Sequence, residues 1–306
     1  MSNISKIKNL RLIQYAQEVI FDKKLESQLK KLIPKDWLVR AKKNSTRVSV
    51  YRINYTSNNH LVAGFIIEPR NIKGKVPAII VNRGGNREFA DIRLGRVFTE
   101  LAELAMQGYV LFVSQLSGHP TSEGKDEYGG SDLNDILVFH KMIKSHPNID
   151  GSKIGMFGWS RGGMMTYLAL AKVKWVKAVV CIAGLANMVR QAKLRSDMID
   201  FYKKTFGGTT TEYQKRSVLF WTEKISKKIP ILMMHGTSDW RVSVLDSLEL
   251  SQKFYEQKVP HRLIVFEAGD HGLTEYRNEV FRQTVEWFER FLKNGEKMPN
   301  LKLHGE

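Results

Sequence analysis

A stretch near the middle of the chain, Lys153-Ile-Gly-Met-Phe-Gly-Trp-Ser-Arg-Gly-Gly163, carries a serine in a setting that can make its hydroxyl react. A short apolar run, Ile154 to Phe157, passes through Gly158-Trp159-Ser160-Arg161-Gly162 into the helix-forming text Met164 to Leu170. A strand that enters a helix through Gly-x-Ser-x-Gly is a nucleophile elbow. Side chains around so tight a turn would collide, and the glycines supply the missing Cβ atoms. The turn presents the Ser160 hydroxyl at the N-terminal end of a helix and aims the Arg161 N–H at an incoming carbonyl oxygen. A glycine-rich turn without chemistry would read the same locally, so the decision rests on partners downstream.

A serine hydroxyl is a weak nucleophile until a base takes its proton, and imidazole titrates near neutrality. Two later segments supply the types required: His235-Gly-Thr-Ser-Asp-Trp-Arg-Val242 and Glu267-Ala-Gly-Asp-His-Gly272. Ser160, Asp239 and His271 follow one another in the order nucleophile, acid, base, each just past a strand-like run. Asp239 would bind the far ring N–H of His271, fix its tautomer and stabilise the imidazolium. Asp270 is an alternative acid, although its side chain should diverge from the imidazole beside it. His235 and His119 are alternative bases, and a structural hydrogen bond suits His235 better. A second oxyanion donor is expected from Val81-Asn-Arg-Gly-Gly85, with the Gly84 N–H beside that of Arg161; a plain Gly-Gly loop is the alternative. Trp159, Trp240 and Arg83 are candidates for the substrate pocket, with core packing the competing role of the tryptophans.

These residues must be placed by a scaffold, and the hydrophobic text describes one. Val48 to Tyr55 alternates apolar and polar residues, turns at Ser57-Asn-Asn59, and returns as His60 to Pro69, an antiparallel pair. Continuous apolar runs then recur at Ala78–Val81, Tyr109–Ser114, Ile154–Phe157, Ala178–Ile182, Ile231–Met234 and Leu263–Phe266. Helical text lies between and after them, near 97–107, 132–145, 161–172, 244–257 and 276–293. That alternation predicts an α/β fold with a buried, mostly parallel sheet, antiparallel N-terminal strands and helices on both faces. Residues 187–225 break the alternation with mixed apolar and charged text, divided at Gly207-Gly208. They read as a helical cap over the strand ends, where such sheets bind ligands. Residues 1–45 read as a separate N-terminal helical segment on the spacing of Ile13, Ala16, Ile20, Phe21, Leu25, Leu29 and Leu32. The catalytic domain is then expected at 46–306.

Composition excludes several classes. At 306 residues the chain suits one large domain with a small appendage. Its one cysteine, Cys181, lies in an apolar run and excludes an internal disulfide framework or a multi-cysteine metal site. No metal or organic cofactor is called for. No apolar run reaches the ~20 residues of a membrane helix, and the N-terminus lacks a secretory apolar core, so a cytoplasmic protein is expected. The formal net charge is +17, and residues 1–50 hold 12 Lys and Arg against 4 Asp and Glu. No dense basic run, zinc knuckle or basic-aromatic pattern accompanies it. A solvated lysine-rich surface therefore stands against nucleic-acid binding, and the N-terminal helices offer a surface for a homo-oligomer.

Taken together, Asn82-Arg-Gly-Gly, Gln115-Leu-Ser-Gly with Ser122 to Asp132, Gly158-Trp-Ser-Arg-Gly-Gly, His235-Gly-Thr-Ser-Asp-Trp-Arg-Val and Asp270-His-Gly resemble the catalytic domain of the prolyl oligopeptidase family over roughly residues 48–293. The resemblance implies an α/β-hydrolase fold and a serine mechanism with Ser160, Asp239 and His271. The family's His-Gly-Gly-Pro loop donates to the oxyanion from its first glycine, which matches Gly84; Arg83 and Asn86 stand where that loop has His and Pro. Larger members carry a propeller that admits short peptides, whereas here some 47 mostly helical residues precede the first strand. The expected substrate is thus a small ester, amide or short peptide, with peptidase and carboxylesterase or dienelactone-hydrolase-like activities both open. A binding protein that kept the fold without the chemistry is the rival from another class.

Overall fold

The computed structural model describes residues 3–305. The chain forms two compact units, Met1–Asp126 with Asn134–Ile154, and Glu127–Leu133 with Gly155–Glu306.

In the first unit, five strands run β1 (Ile13–Glu18), β2 (Val48–Ser57), β3 (His60–Pro69), β4 (Val76–Asn82) and β5 (Val110–Ser114) along the chain. In space their order is β1-β2-β3-β5-β4. The β2–β3 hairpin turns on Asn58 and Asn59, both with positive φ, the twist a two-residue turn between antiparallel strands requires. β3 pairs antiparallel with β5, and β5 parallel with β4. Residues of β4 and β5 are almost wholly buried, as their unbroken apolar text predicts.

Residues 13–18 correct the helical reading of the N-terminal segment. They form β1, an antiparallel edge strand on β2, with Ala16 paired to Ile53 and Glu18 to Tyr51. The helical spacing joined residues of different elements: Ala16 is buried in the strand, while Ile20 lies past its end and is 61% exposed. An edge strand needs only one buried face, and pairing with β2 satisfies backbone groups that a short isolated helix would leave weakly supported. Helices do occupy Asn3–Lys8, Lys23–Lys30 and Lys35–Ser45. The second begins at Asp22, whose carboxylate accepts the Leu25 N–H at 2.8 Å, and it buries Leu25 and Leu29.

β6 (Ile149–Trp159) begins in the first unit's residues and ends in the second's, leading directly into the helix Arg161–Lys172. The second unit continues with β7 (Val176–Ile182), β8 (Ile231–Gly236) and β9 (His261–Phe266), parallel and in that order. Between β7 and β8 the expected cap residues fold as helices Met188–Leu194, Ile199–Phe206 and Thr210–Lys215 with short 3-10 turns. Gly207 ends the middle helix in the left-handed conformation. Rings of Tyr128, Phe201, Tyr202, Phe206 and Tyr213 pack on one another there. Cys181 is buried in β7, and burial pushes its thiol up to about 12, so it stays protonated and inert. Among the described residues, no helix is long and apolar enough to cross a membrane.

Candidate active site

Ser160 sits between β6 and the helix Arg161–Lys172 with φ 57° and ψ −121°, a conformation that costs a non-glycine residue on the order of 1–3 kcal/mol. Its surroundings hold it there. Its N–H donates to the Ile182 carbonyl at 2.9 Å, and its carbonyl accepts from Gly163 and Leu185. A Cβ on Gly158 would press into the Gly162 carbonyl, and one on Gly163 would lie 2.6 Å from Gly184 Cα. Both positions therefore require glycine: one closes the elbow, and the other lets the helix start pass the loop after β7.

The next side chain, Arg161, is 1% exposed. Its Nη2 donates to Asp132 Oδ2 at 2.6 Å, and its guanidinium lies 4.4 Å from the centroid of the Tyr128 ring. Asp132 itself accepts the Gly129 N–H at 3.0 Å. The first helical residue after Ser160 is thus anchored at its far end by a buried ion pair. Sequence reading gave Asp132 no role. A buried arginine needs a counter-charge, which was the available signal, but nothing local names the carboxylate that supplies it.

Asp239 lies in the loop after β8, and both its oxygens are used. Oδ1 accepts the N–H groups of Arg241 and Val242 at 2.8 and 3.0 Å. Oδ2 meets His271 Nδ1 at 2.8 Å and His235 Nε2 at 3.1 Å. Burial opposes ionisation of this carboxyl, but the hydrogen bonds of His235 and His271 outweigh it and hold the group well below the usual carboxylate range. Since the carboxylate can only accept, His271 carries its proton on Nδ1 and presents Nε2 as an acceptor.

The loops bearing Asp239 and His271 are bonded to each other. Thr237 N–H donates to the Phe266 carbonyl, Ser238 N–H to the Gly269 carbonyl, and Ala268 N–H to Thr237 Oγ1. Trp159, the residue before Ser160, donates its indole N–H to the carbonyl of His271 at 3.2 Å. The elbow and the histidine loop therefore meet, although no hydrogen bond joins Ser160 Oγ to the His271 ring among the described residues. Such contacts commonly tighten only when substrate is bound.

The alternatives take other places. Asp270 turns to Thr274, accepting its N–H and its hydroxyl at 2.9 and 3.0 Å. His235 is fully buried beneath Asp239. In the first unit, His119 bonds Thr121 and approaches Asp91, and burial lowers its pKa. Gly84 follows β4 in that unit, beside Arg83. The Arg83 guanidinium is not an open pocket wall: it donates to the backbone carbonyls of Gly84, Gln115, Arg87 and Phe89. Trp240 is 60% exposed, with the guanidiniums of Arg241 and Arg195 at 4.5 and 5.1 Å from its ring. Gln191 of the first cap helix donates to the Arg241 carbonyl, which ties the cap to the loop of Asp239. Among the described residues, no cluster of three or more His, Cys, Asp or Glu side chains gathers to hold a metal ion.

The profile of the prolyl oligopeptidase family matches residues 96–295. The chain is 29% identical to an uncharacterised peptidase, YtmA, of Bacillus subtilis, over 79% of this chain and 94% of that protein. It is 28% identical to a putative esterase, YitV, of the same organism, over 64% of this chain and 78% of that one. The structure of an acylaminoacyl peptidase of Pyrococcus horikoshii superposes with a TM-score of 0.71 at 23% identity, covering 83% of this chain. Only 44% of that longer chain is spanned, and the likeness concerns the fold alone. The chain belongs to the prolyl oligopeptidase family and is a serine hydrolase of the α/β-hydrolase fold.

Proposed function

We propose that Ser160, Asp239 and His271 are the catalytic triad of an acyl-transfer hydrolase acting on small esters, amides or short peptides. The observation that carries this reading is the His271–Asp239 contact of 2.8 Å on a carboxylate held ionised, with Trp159 binding the His271 carbonyl from the residue next to Ser160. His271 Nε2 takes the Ser160 proton as Oγ bonds to the substrate carbonyl carbon. The oxyanion so formed is received by the Arg161 N–H group. His271 then gives its proton to the departing alcohol or amine, which breaks the scissile bond and leaves an ester on Ser160. Water activated by the same imidazole releases the acid and restores the serine. The cap at 187–225 shapes the acyl pocket, and the inert Cys181 thiol is compatible with a reducing cytoplasm.

Peptidase activity is favoured by the family and by YtmA, and an esterase reading by the likeness to YitV. Purified protein assayed with p-nitrophenyl esters of two to eight carbons beside aminoacyl-p-nitroanilides and acylated dipeptides separates the two. The proposal expects turnover of at least one amide or peptide, lost in Ser160→Ala. Ester hydrolysis with no amide cleavage replaces the peptidase reading with the esterase one, and activity surviving in folded Ser160→Ala removes both.

A further inference from the structure

We infer that His235 is a positioning residue for the catalytic acid: a neutral imidazole that donates from Nε2 to Asp239, with Ser247 meeting its other ring nitrogen. This inference rests on the triad reading and deepens it. Asp239 and His271 were expected from their order along the chain, but the second imidazole on the same carboxylate oxygen is assigned by geometry alone.

His235 ends β8 with no solvent exposure, and its two ring nitrogens face different chemistry. Nε2 lies 3.1 Å from Asp239 Oδ2 and 3.1 Å from the Val242 carbonyl. Both of those atoms only accept, so Nε2 carries hydrogen and divides it between them. Nδ1 lies 2.7 Å from Ser247 Oγ, on the first turn of the helix Val244–Glu256. A hydroxyl can donate to Nδ1, which leaves the ring neutral with both nitrogens satisfied. The charged groups nearby are committed elsewhere: Asp246, beside Ser247, accepts the N–H groups of Ala186 and Asn187 and the guanidinium of Arg190. His235 therefore faces a single carboxylate, and that carboxylate is Asp239.

This geometry excludes His235 as the general base, because the nitrogen that would take a proton already holds one and points at Asp239. It gives the ring another task. When His271 becomes an imidazolium, Asp239 must stay ionised, oriented and unwilling to accept the proton. A second N–H on Oδ2 lowers the basicity of that oxygen and stops the carboxylate from rotating away from His271. Removing this donor makes the Asp239–His271 pair hold its proton more tightly. The free base then appears only at higher pH.

His235→Gln, His235→Leu and Ser247→Ala test the assignment with an ester that the parent turns over, with folding followed by near-ultraviolet circular dichroism. The Gln side chain keeps an N–H for Asp239, the Leu side chain does not, and Ser247→Ala removes only the partner of Nδ1 while Nε2 keeps its hydrogen against two acceptors. The expected result for H235L is a loss of about ten- to a hundredfold in kcat with KM nearly unchanged, and an acid limb of kcat/KM moved to higher pH, whereas S247A, which keeps the N–H on Asp239, stays within about threefold of the parent with its limb unmoved. H235Q recovers most of the loss. Equal losses in H235Q and H235L with an unmoved acid limb would overturn the inference, since a purely packing role behaves so. If H235L does not fold, His235→Phe, which keeps a ring and lacks the N–H, decides, and parental kcat with an unmoved limb there overturns it. His271→Ala in the same assay separates this inference from its foundation: undiminished activity in that variant sinks the triad itself.

Discussion

Arg83 and Arg161 are both almost fully buried, 2% and 1% exposed, and each adjoins or supplies a proposed oxyanion donor, yet their guanidiniums are used differently. Arg83 fans its N–H groups onto four backbone carbonyls and so sets the path of the loop around Gly84. Arg161 directs its Nη2 to the carboxylate of Asp132, and its ring contact to Tyr128, so it anchors the helix start through charge. The contrast teaches that a buried arginine beside a proposed oxyanion donor can act as a geometric strut or as an electrostatic pin. The two should fail under different substitutions: shape matters most at Arg83, and counter-charge at Arg161.

The largest effect is expected where that counter-charge is withdrawn. Asp132→Asn leaves a buried cation without its carboxylate and should destabilise the protein by about 3–5 kcal/mol in urea unfolding. The double change Arg161→Met with Asp132→Leu should recover much of that loss, because no charge is then buried. A double variant as unstable as the single one would break the comparison.

Arg83→Lys keeps the charge and loses the fork, since one ammonium cannot reach four carbonyls. A loss of about 1–3 kcal/mol is expected, with faster amide hydrogen exchange confined to residues 84–90. Parental exchange there would show that Arg83 is not the strut described.

The comparison extends from the arginines to the carboxylates. Asp239 is held by N–H donors of backbone and imidazole groups, which keep its carboxyl below its ordinary value of 3.8. A depressed carboxyl contributes stability that is present above 3.8 and is lost as pH falls toward its folded value. That loss amounts to about 1.4 kcal/mol per pH unit at most. Asp239→Asn should therefore show a shallower fall in stability between pH 4 and pH 2 than the parent, read by thermal unfolding. A parallel pair of curves would contradict the ionised, hydrogen-bonded carboxylate. The smallest change is Trp159→Phe, which removes one N–H donor to the His271 carbonyl. It should lower stability by about 1 kcal/mol and kcat by several-fold, with KM unchanged.

Much of this arrangement was legible in the sequence because it depends on local text. The strands from β4 onward announce themselves by apolar runs, and Asn58-Asn59 marks its hairpin. The Ser160 elbow is dictated by glycines whose Cβ atoms would strike neighbouring backbone. What the sequence hid depends on long-range pairing. β1 looked helical because Ile13, Ala16 and Ile20 fall at helical spacing, while its identity as a strand depends on β2, whose paired residues lie 33–42 positions further along the chain. Asp132 acquires its role only when Arg161 is brought to it. The function of Arg83 cannot be read from its type, since the acceptors are backbone carbonyls that every residue carries. The pairing of His235 with Asp239 could have been suspected from their four-residue separation past a strand end, but only coordinates show which nitrogen faces which oxygen.

The central claim is that Ser160 is the nucleophile and that His271 activates it. Reaction of the folded protein with a fluorophosphonate, followed by peptide mass mapping, tests it most directly. The account predicts one adduct, on the peptide containing Ser160, abolished in Ser160→Ala and slowed by orders of magnitude in His271→Ala. An adduct on another residue, or labelling of His271→Ala at the parental rate, would contradict it.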